Sequence, residues 1–518
     1  MKHLIQRLLG NYLAFCALKR VETSGDTRAN PLTIEQRREA LLLTCSTNQI
    51  DSSNQSLSKD LADHFVRSSS ADRTHLLSPN AALGGEGSLA IDVTQTVSYP
   101  YNTGIQRVTR ETLRPLRSHF KQLIPYRIPT QATHAVLLKK LETDFLFDFH
   151  PLKRSIGSVV IALLEVASDM IRLSIRKMVL ILFEWSLRER EMQHLELHLR
   201  EAFLKPRKHI LCRILSFAFN DVILITNGAT CFSCEFVSAD NHFRFYDQRI
   251  DSWMRVFFVV HDLLPLEQPE SFDGKPEFSR FLGLVNRGSG AICESKTTFE
   301  SLKRWRQNFS IEAVNKPTIC AYLGQSFSGA KTKGHSRPEV IKAICVGTFE
   351  PRKNQLRILL AVGRLWQQGV KLKIHFVGNP GWRSSELFAA KAALDPNNDF
   401  SAVDIAISDA TLEARYAECD FFIQSSLGEG FGLPALEALA HGLPGIISNG
   451  GSLAEINAIT KGCIEVDPMS ELEIEEALRR ICDDVTRNKL KAEIQNVESF
   501  SWDSFCSRIH DFIAGERT

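Results

Sequence analysis

No run of uncharged apolar residues reaches the ~18 needed to cross a bilayer anywhere in this 518-residue sequence. That excludes a spanning helix of the ordinary kind. A small-residue cleavage site behind an apolar stretch is also missing from the N-terminus, so the protein is expected to stay in the cytoplasm. Nor is there an excess of either charge. Lys plus Arg number 62 against 60 Asp plus Glu, a net +2, so no global field argues for nucleic acid and only weak local basic patches remain. The twelve cysteines follow no repeating framework. Cys231 and Cys234 form a lone CxxC with no second pair at zinc spacing, so reduced, mostly buried thiols are expected and a metal site is not.

What is present is enough for several cores. At 44% hydrophobic and 24% charged, 518 residues point to at least two domains. Residues 1–45 carry a short amphipathic pattern, with Leu4, Ile5, Leu8 and Leu9 against Lys2 and Arg7, which suits a membrane surface or an ordinary packed helix. Residues 46–85 are rich in Ser, Asn, Asp and Thr and read as a flexible linker. The folded core begins near Leu89 with a strand, a polar loop and a helix over 89–116. A long helical insertion follows at 153–212, where charges such as Glu165, Asp169 and Arg172 break any span; packed helices or a lipid-facing surface both fit. Apolar runs at 221–228, 255–262 and 290–295 suit a buried parallel sheet.

The Gly-, Ser- and Lys-rich stretch 324–339 reads as a domain linker. Beyond it come a strand, loop and helix over 342–369, a strand at 372–382, and further alternation to a helix near 471–484. The pattern predicts an α/β chain of two doubly wound, Rossmann-like parallel-sheet domains facing across a cleft. Their expected limits are 86–325 and 340–500, after an N-terminal segment 1–85 and before a helix at 501–518 that crosses back to the first domain.

The run EGFGLPALEALAHGLP holds the most pointed chemistry. Glu429 and Glu437, separated by seven residues, bracket a turn built from Gly430, Gly432 and Pro434, and 434–440 reads as the helix that follows, with Pro434 near its first turn. A helix start attracts anions. Upstream, 419–426 is an apolar strand ending in Ser425 and Ser426, so these hydroxyls and Glu429 fall where open α/β sheets bind ligands. Lys353, with Arg352 beside it, ends another such strand, and His261, followed by Asp262, ends a third. Solvated surface charges are the bland alternative for each residue alone; the strand-end context favours a site.

The segments 425–456, 346–355, 261–272 and 103–108, taken in order, resemble the retaining family-4 glycosyltransferases of the GT-B fold, and specifically a bacterial, mannosyltransferase-like subgroup that builds surface polysaccharides. The quoted motifs span most of 89–510. The resemblance implies transfer of a hexosyl group, mannosyl by preference, from a nucleotide-sugar such as GDP-mannose to a glycan or lipid-linked oligosaccharide acceptor. It places His261, Lys353 and Glu429 in catalysis, with Glu429 on donor-sugar hydroxyls and Glu437 on the ribose. Gly347, Arg352, Ser425, Gly430, Phe431, Gly432 and Leu433 complete the donor side, while Thr103, Gly104 and Arg107 form an acceptor-side loop.

Retention by same-face substitution follows from the family. No Asp-x-Asp occurs in the chain, so cationic side chains and amides are expected to do a metal's work, and no cofactor is expected. Two departures stand out: Thr348 replaces an arginine that many relatives carry, and Ala454 replaces a common proline before Glu455. They leave open a binding-only relative that has lost turnover, or a membrane scaffold using 1–20 and 153–200. Cytoplasmic placement, with peripheral contact at the inner face of a membrane, fits either acceptor class.

Overall fold

The structure, a computed structural model, describes residues 82–83, 88–98, 104–128, 135–138, 146, 171, 174–175, 224–225, 229–247, 249–250, 254–272, 277–326 and 339–515. The amphipathic segment 1–45, the linker 46–81, nearly all of the insertion 153–212, and Thr103 lie outside the described residues. Of the stretch 324–339, only 324–326 and 339 are described.

Twelve main strands fall into two runs of six. The first run is β1 (Ser88–Asp92), β2 (Gln122–Arg127), β3 (Ala229–Ser233), β4 (Met254–Val260), β5 (Gly290–Cys293) and β6 (Thr318–Cys320). The second is β7 (Ile341–Val346), β8 (Leu372–Val377), β9 (Ser401–Asp404), β10 (Phe421–Gln424), β11 (Gly445–Ser448) and β12 (Cys463–Val466). Both runs wind as Rossmann-like parallel sheets with helices between the strands. The chain divides into two compact units, Met1–Tyr101 with Phe120–Val256 and Asn102–His119 with Phe257–Thr518, a division that falls inside β4.

In the first unit β1 lies between β2 and β3, parallel to both, with Ala90 opposite Ile124 on one side and Cys231 on the other. Strands flanked on both sides read as unbroken apolar runs, and β1 and β3 are buried at every position. Of the run 221–228, the described part is Leu224–Ile225, which pairs with Ala82–Leu83, whereas the strand that joins β1 is β3, one segment later. Its sequence, ATCFS, is short and small, and the CxxC pair distracts from it. Cys231 and Cys234 are both core residues, and burial pushes the Cys231 thiol up.

In the second unit β4, β5 and β6 pair in parallel, and β7 to β12 form a wholly parallel sheet ordered β9-β8-β7-β10-β11-β12. Helix Gln355–Gln367 follows β7 and buries Ile358, Leu359, Val362 and Leu365 at helical spacing against β-strand residues such as Ala343, Ile374 and Phe421. Burying such side chains is worth about 1.5–3 kcal/mol each. Ser408 and Ser470 cap the helices Asp409–Glu418 and Glu471–Cys482, each accepting an amide hydrogen bond three residues on. This rigid frame leaves the loops at the carboxyl ends of β7 and β10 side by side, since those two strands are neighbours in the sheet.

Candidate functional site

The chain leaves β7 at Gly347, whose φ of 151° suits glycine, and its amide stays tied to the Val377 carbonyl at the end of β8. The fit is close: a Cβ on Gly378 would sit 2.0 Å from the Gly347 oxygen. Pro351–Lys353 then make one tight helical turn, closed by Asn354 in the left-handed region at φ 64°. A short polar side chain tolerates that conformation. The Asn354 amide donates to the carbonyls of Ser425 at 2.9 Å and Pro468 at 2.8 Å, which fixes the turn to the end of β10.

Lys353 folds back over Gly347, where a Cβ would touch its side chain at 3.4 Å, and its Nζ lies 2.7 Å from each oxygen of Glu429. Arg352 donates to Glu429 Oε2 at 3.2 Å, to the Gly428 carbonyl at 2.7 Å and to Glu350 Oε1 at 2.7 Å. Gln424 Nε2 at 2.9 Å and Ser426 Oγ at 2.7 Å complete the set of donors on Glu429 Oε1. Burial alone pushes the Glu429 carboxyl up, but the Lys353 and Arg352 cations beside it prevail and hold it at about 2. The cluster is a locked, ionised knot at the strand ends. Around it, Arg352 Nε, Gln424 Oε1 and Gln268 Oε1 are buried without a hydrogen-bond partner.

From Glu429 the chain runs under the end of β4. A Cβ on Gly430 would lie 2.3 Å from the His261 carbonyl oxygen, so only glycine fits there. His261 Nδ1 meets Glu294 Oε1 at 2.5 Å, which orients the imidazole, and Asp262 is half-buried, with its carboxyl pushed up by desolvation against the pull of Arg352. Gly432, at φ 110°, turns the chain into helix Leu433–Ala440, with Pro434 in its first turn.

Glu437 stands apart from Glu429. Only 2% exposed, it pairs with Arg107 through Oε1 and accepts from the Tyr416 hydroxyl at 3.2 Å through Oε2. Burial pushes its carboxyl up to about 7, with Arg107 and Tyr416 pulling against the shift.

The structure therefore brings Lys353, Arg352 and Glu429 together, with Gly347, Gly430 and Gly432 shaping the backbone around them. It gives other expected residues different surroundings. Gly104 and Arg107 belong to helix Gly104–His119 rather than to a loop. Phe431 is buried against Tyr322 and Phe500, ring to ring at 6.0 Å in each case. Ser425 is fully buried and offers its carbonyl to Asn354. Sequence reasoning pointed to Ser426 beside Glu429 and missed Glu350, Asn354, Gln424, Gln268 and Glu294 as neighbours of the site. A signal existed for Gln424 and Glu294, each a polar residue closing an apolar strand run, like His261.

Residues 330–497 match the family described as Glycosyl transferases group 1. That stretch supports a glycosyltransferase. The serotype-specific mannosyltransferase WbdA of Escherichia coli is 34% identical over 208 residues, which cover 37% of this chain and 25% of WbdA. The chain thus spans about a quarter of the length of that curated relative. A sucrose-phosphate synthase from Thermosynechococcus elongatus superposes with a TM-score of 0.53 at 12% identity, over 83% of this chain and 99% of that one. HepE from Anabaena, solved with UDP and glucose, gives a TM-score of 0.51 at 14% identity, over 83% and 99% of the two chains. These likenesses show the fold, which is GT-B. Among the described residues no helix is long and apolar enough to cross a membrane.

Proposed function

We propose that this chain is a retaining, metal-independent hexosyltransferase. It moves a sugar, mannosyl by preference, from a nucleotide-sugar donor, GDP-mannose or similar, to a glycan or lipid-linked oligosaccharide in surface polysaccharide synthesis. One observation carries the reading: two cations, Lys353 and Arg352, converge on one ionised carboxylate, Glu429, at adjacent strand ends just ahead of a glycine-led helix start. The match of 330–497 to group 1 glycosyltransferases and the similarity to a mannosyltransferase support it.

In this reading the bond between the anomeric carbon and the diphosphate oxygen breaks while negative charge grows on that oxygen. Lys353 and Arg352 meet the charge, and the amides near Gly432 and Leu433 add fixed dipoles. Glu429, partly released from its cations, receives hydroxyl donors from the sugar. The acceptor oxygen bonds to the same face, and its proton passes to the departing phosphate. Charge-assisted contacts of this kind are about twice as strong as neutral ones. The buried Arg352 Nε, Gln424 Oε1 and Gln268 Oε1 mark hydrogen-bonding capacity around the same knot. His261, oriented by Glu294, would face the sugar, and peripheral contact with the cytoplasmic membrane face would supply a lipid-linked acceptor.

The test is nucleotide release from a panel of GDP-, UDP- and ADP-sugars with mannose-terminated acceptors, followed by NMR of the new linkage. We expect release from one donor and an anomeric configuration matching it. A folded chain that releases nucleotide from none overturns the proposal. Binding without release would favour the impaired, binding-only reading to which Thr348 and Ala454 point.

A further inference from the structure

We infer that Arg107 is a displaceable occupant of the donor site, seated on Glu437 until the nucleoside part of a donor takes its place. The inference rests on the proposed function, in which Glu437 receives the ribose hydroxyls, and goes beyond it by naming what must leave first. A carboxylate accepts hydrogen bonds and cannot give them. Both Glu437 oxygens are already engaged, Oε1 by Arg107 and Oε2 by Tyr416, and the side chain is 2% exposed. A diol can reach it only if one of these two donors withdraws.

The surroundings decide which one. Tyr416 is fully buried, its hydroxyl also lies 3.3 Å from the Pro434 carbonyl, and its ring stacks on His441 at 5.2 Å. It has nowhere to turn. Arg107 sits one turn into helix Gly104–His119, its side chain is 11% exposed, and two further carboxylates, Asp409 and Glu111, already act on it electrostatically. Glu111 is the i+4 neighbour of Arg107 on the same helix face. Asp409 opens helix Asp409–Glu418, which also carries Tyr416. A guanidinium leaving Glu437 therefore passes to another acid instead of being stranded in a buried site, and the exchange avoids the large penalty of an unpaired buried charge. Arg107 thereby sets how readily the nucleoside end of a donor is admitted.

Calorimetric titration of the full chain with UDP, GDP and ADP tests this. In Arg107→Gln no ion pair has to open, so the diphosphate that the parent binds should bind about tenfold more tightly, a coupling in the ordinary range between linked sites. Glu111→Gln combined with Asp409→Asn removes the receiving acids and should weaken the same ligand by a similar factor in the parent background. In the Arg107→Gln background that pair should change nothing, a cycle that a merely structural arginine does not produce. Unchanged or weaker binding in Arg107→Gln overturns the inference. If Arg107→Gln fails to fold, unaltered affinity in the Glu111→Gln, Asp409→Asn protein overturns it instead. A parent that binds none of the three nucleotides sinks the functional reading itself and takes this inference with it, a result separate from either.

Discussion

Two polar clusters occupy equivalent positions, at the carboxyl ends of central parallel strands, and they differ in kind. In the first unit Asp92 ends β1 and binds His242 at 2.5 Å, the Tyr246 hydroxyl at 2.7 Å and the Thr94 hydroxyl at 2.6 Å. Nearby, Glu235 accepts the Gln95 and Thr96 amides at 2.6 and 2.7 Å. Asp92 and Glu235 are 0% exposed and His242 is 1% exposed, and one buried polar atom beside them, Thr96 Oγ1, has no partner. Burial, with Asp92 adding to it, pushes the Glu235 carboxyl up to about 8, whereas the His242 contact outweighs burial at Asp92 and holds that carboxyl low. The cluster of the second unit is edged differently: Lys353 and Arg352 are each 13% exposed, and three buried polar atoms beside them have no partner. A strand end in an α/β sheet is thus not enough to make a site. Hydrogen bonding sealed from solvent holds a loop in place, while partly accessible cations beside several unpartnered polar atoms leave something for a ligand to do.

The contrast breaks first at Asp92. Asp92→Ala strands His242 in the core and should cost about 3–5 kcal/mol of stability, read from denaturant midpoints, while the surviving folded fraction keeps its specific activity. Lost activity at full stability would erase the distinction drawn here. Lys353→Ala should behave in the opposite sense, lowering turnover on the order of a hundredfold with a smaller change in midpoint; a variant that turns over normally removes Lys353 from the chemistry.

Next in size is a pH effect at Glu437, whose carboxyl rises from 4.5 unfolded to about 7 folded. Between those values the native state binds more protons than the unfolded chain. Stability should therefore fall as pH rises through that window, by up to about 3 kcal/mol. Glu437→Gln should flatten the profile, and an unaltered slope would show that Glu437 does not titrate there. Glu429 has the reverse sign: its contribution is complete above the ordinary carboxylate range and is lost only as pH falls toward 2. Smallest is Gln424→Leu, which removes one of the donors on Glu429. It should change kcat/KM by about five- to tenfold through looser seating of Lys353 and Arg352, and an unchanged value would make Gln424 a spectator.

Much of the fold was legible because buried parallel strands announce themselves as apolar runs closed by a polar residue. The runs at 255–262, 290–295, 342–347, 372–382 and 419–426 all contain strands of the structure. The same rule pointed to Lys353, Arg352 and Glu429, which the structure gathers. It failed at β3, where a short, small-residue strand was overshadowed by the more apolar run before it. It was also blind to partners. Nothing local to Arg107 announces Glu437, because an ion pair between distant parts of the chain leaves no periodic trace in either segment. Gln424 was passed over for a related reason: which oxygen a polar side chain serves depends on loop geometry that a linear pattern does not carry.

Asn354 reaches well beyond its own turn. Held left-handed and bonded to the carbonyls of Ser425 and Pro468, it ties the segments around 347–354, 425–429 and 467–468 into one piece. Anyone wishing to re-engineer sugar preference by grafting a loop from a relative has to transplant all three together, or retain the asparagine as the common rivet.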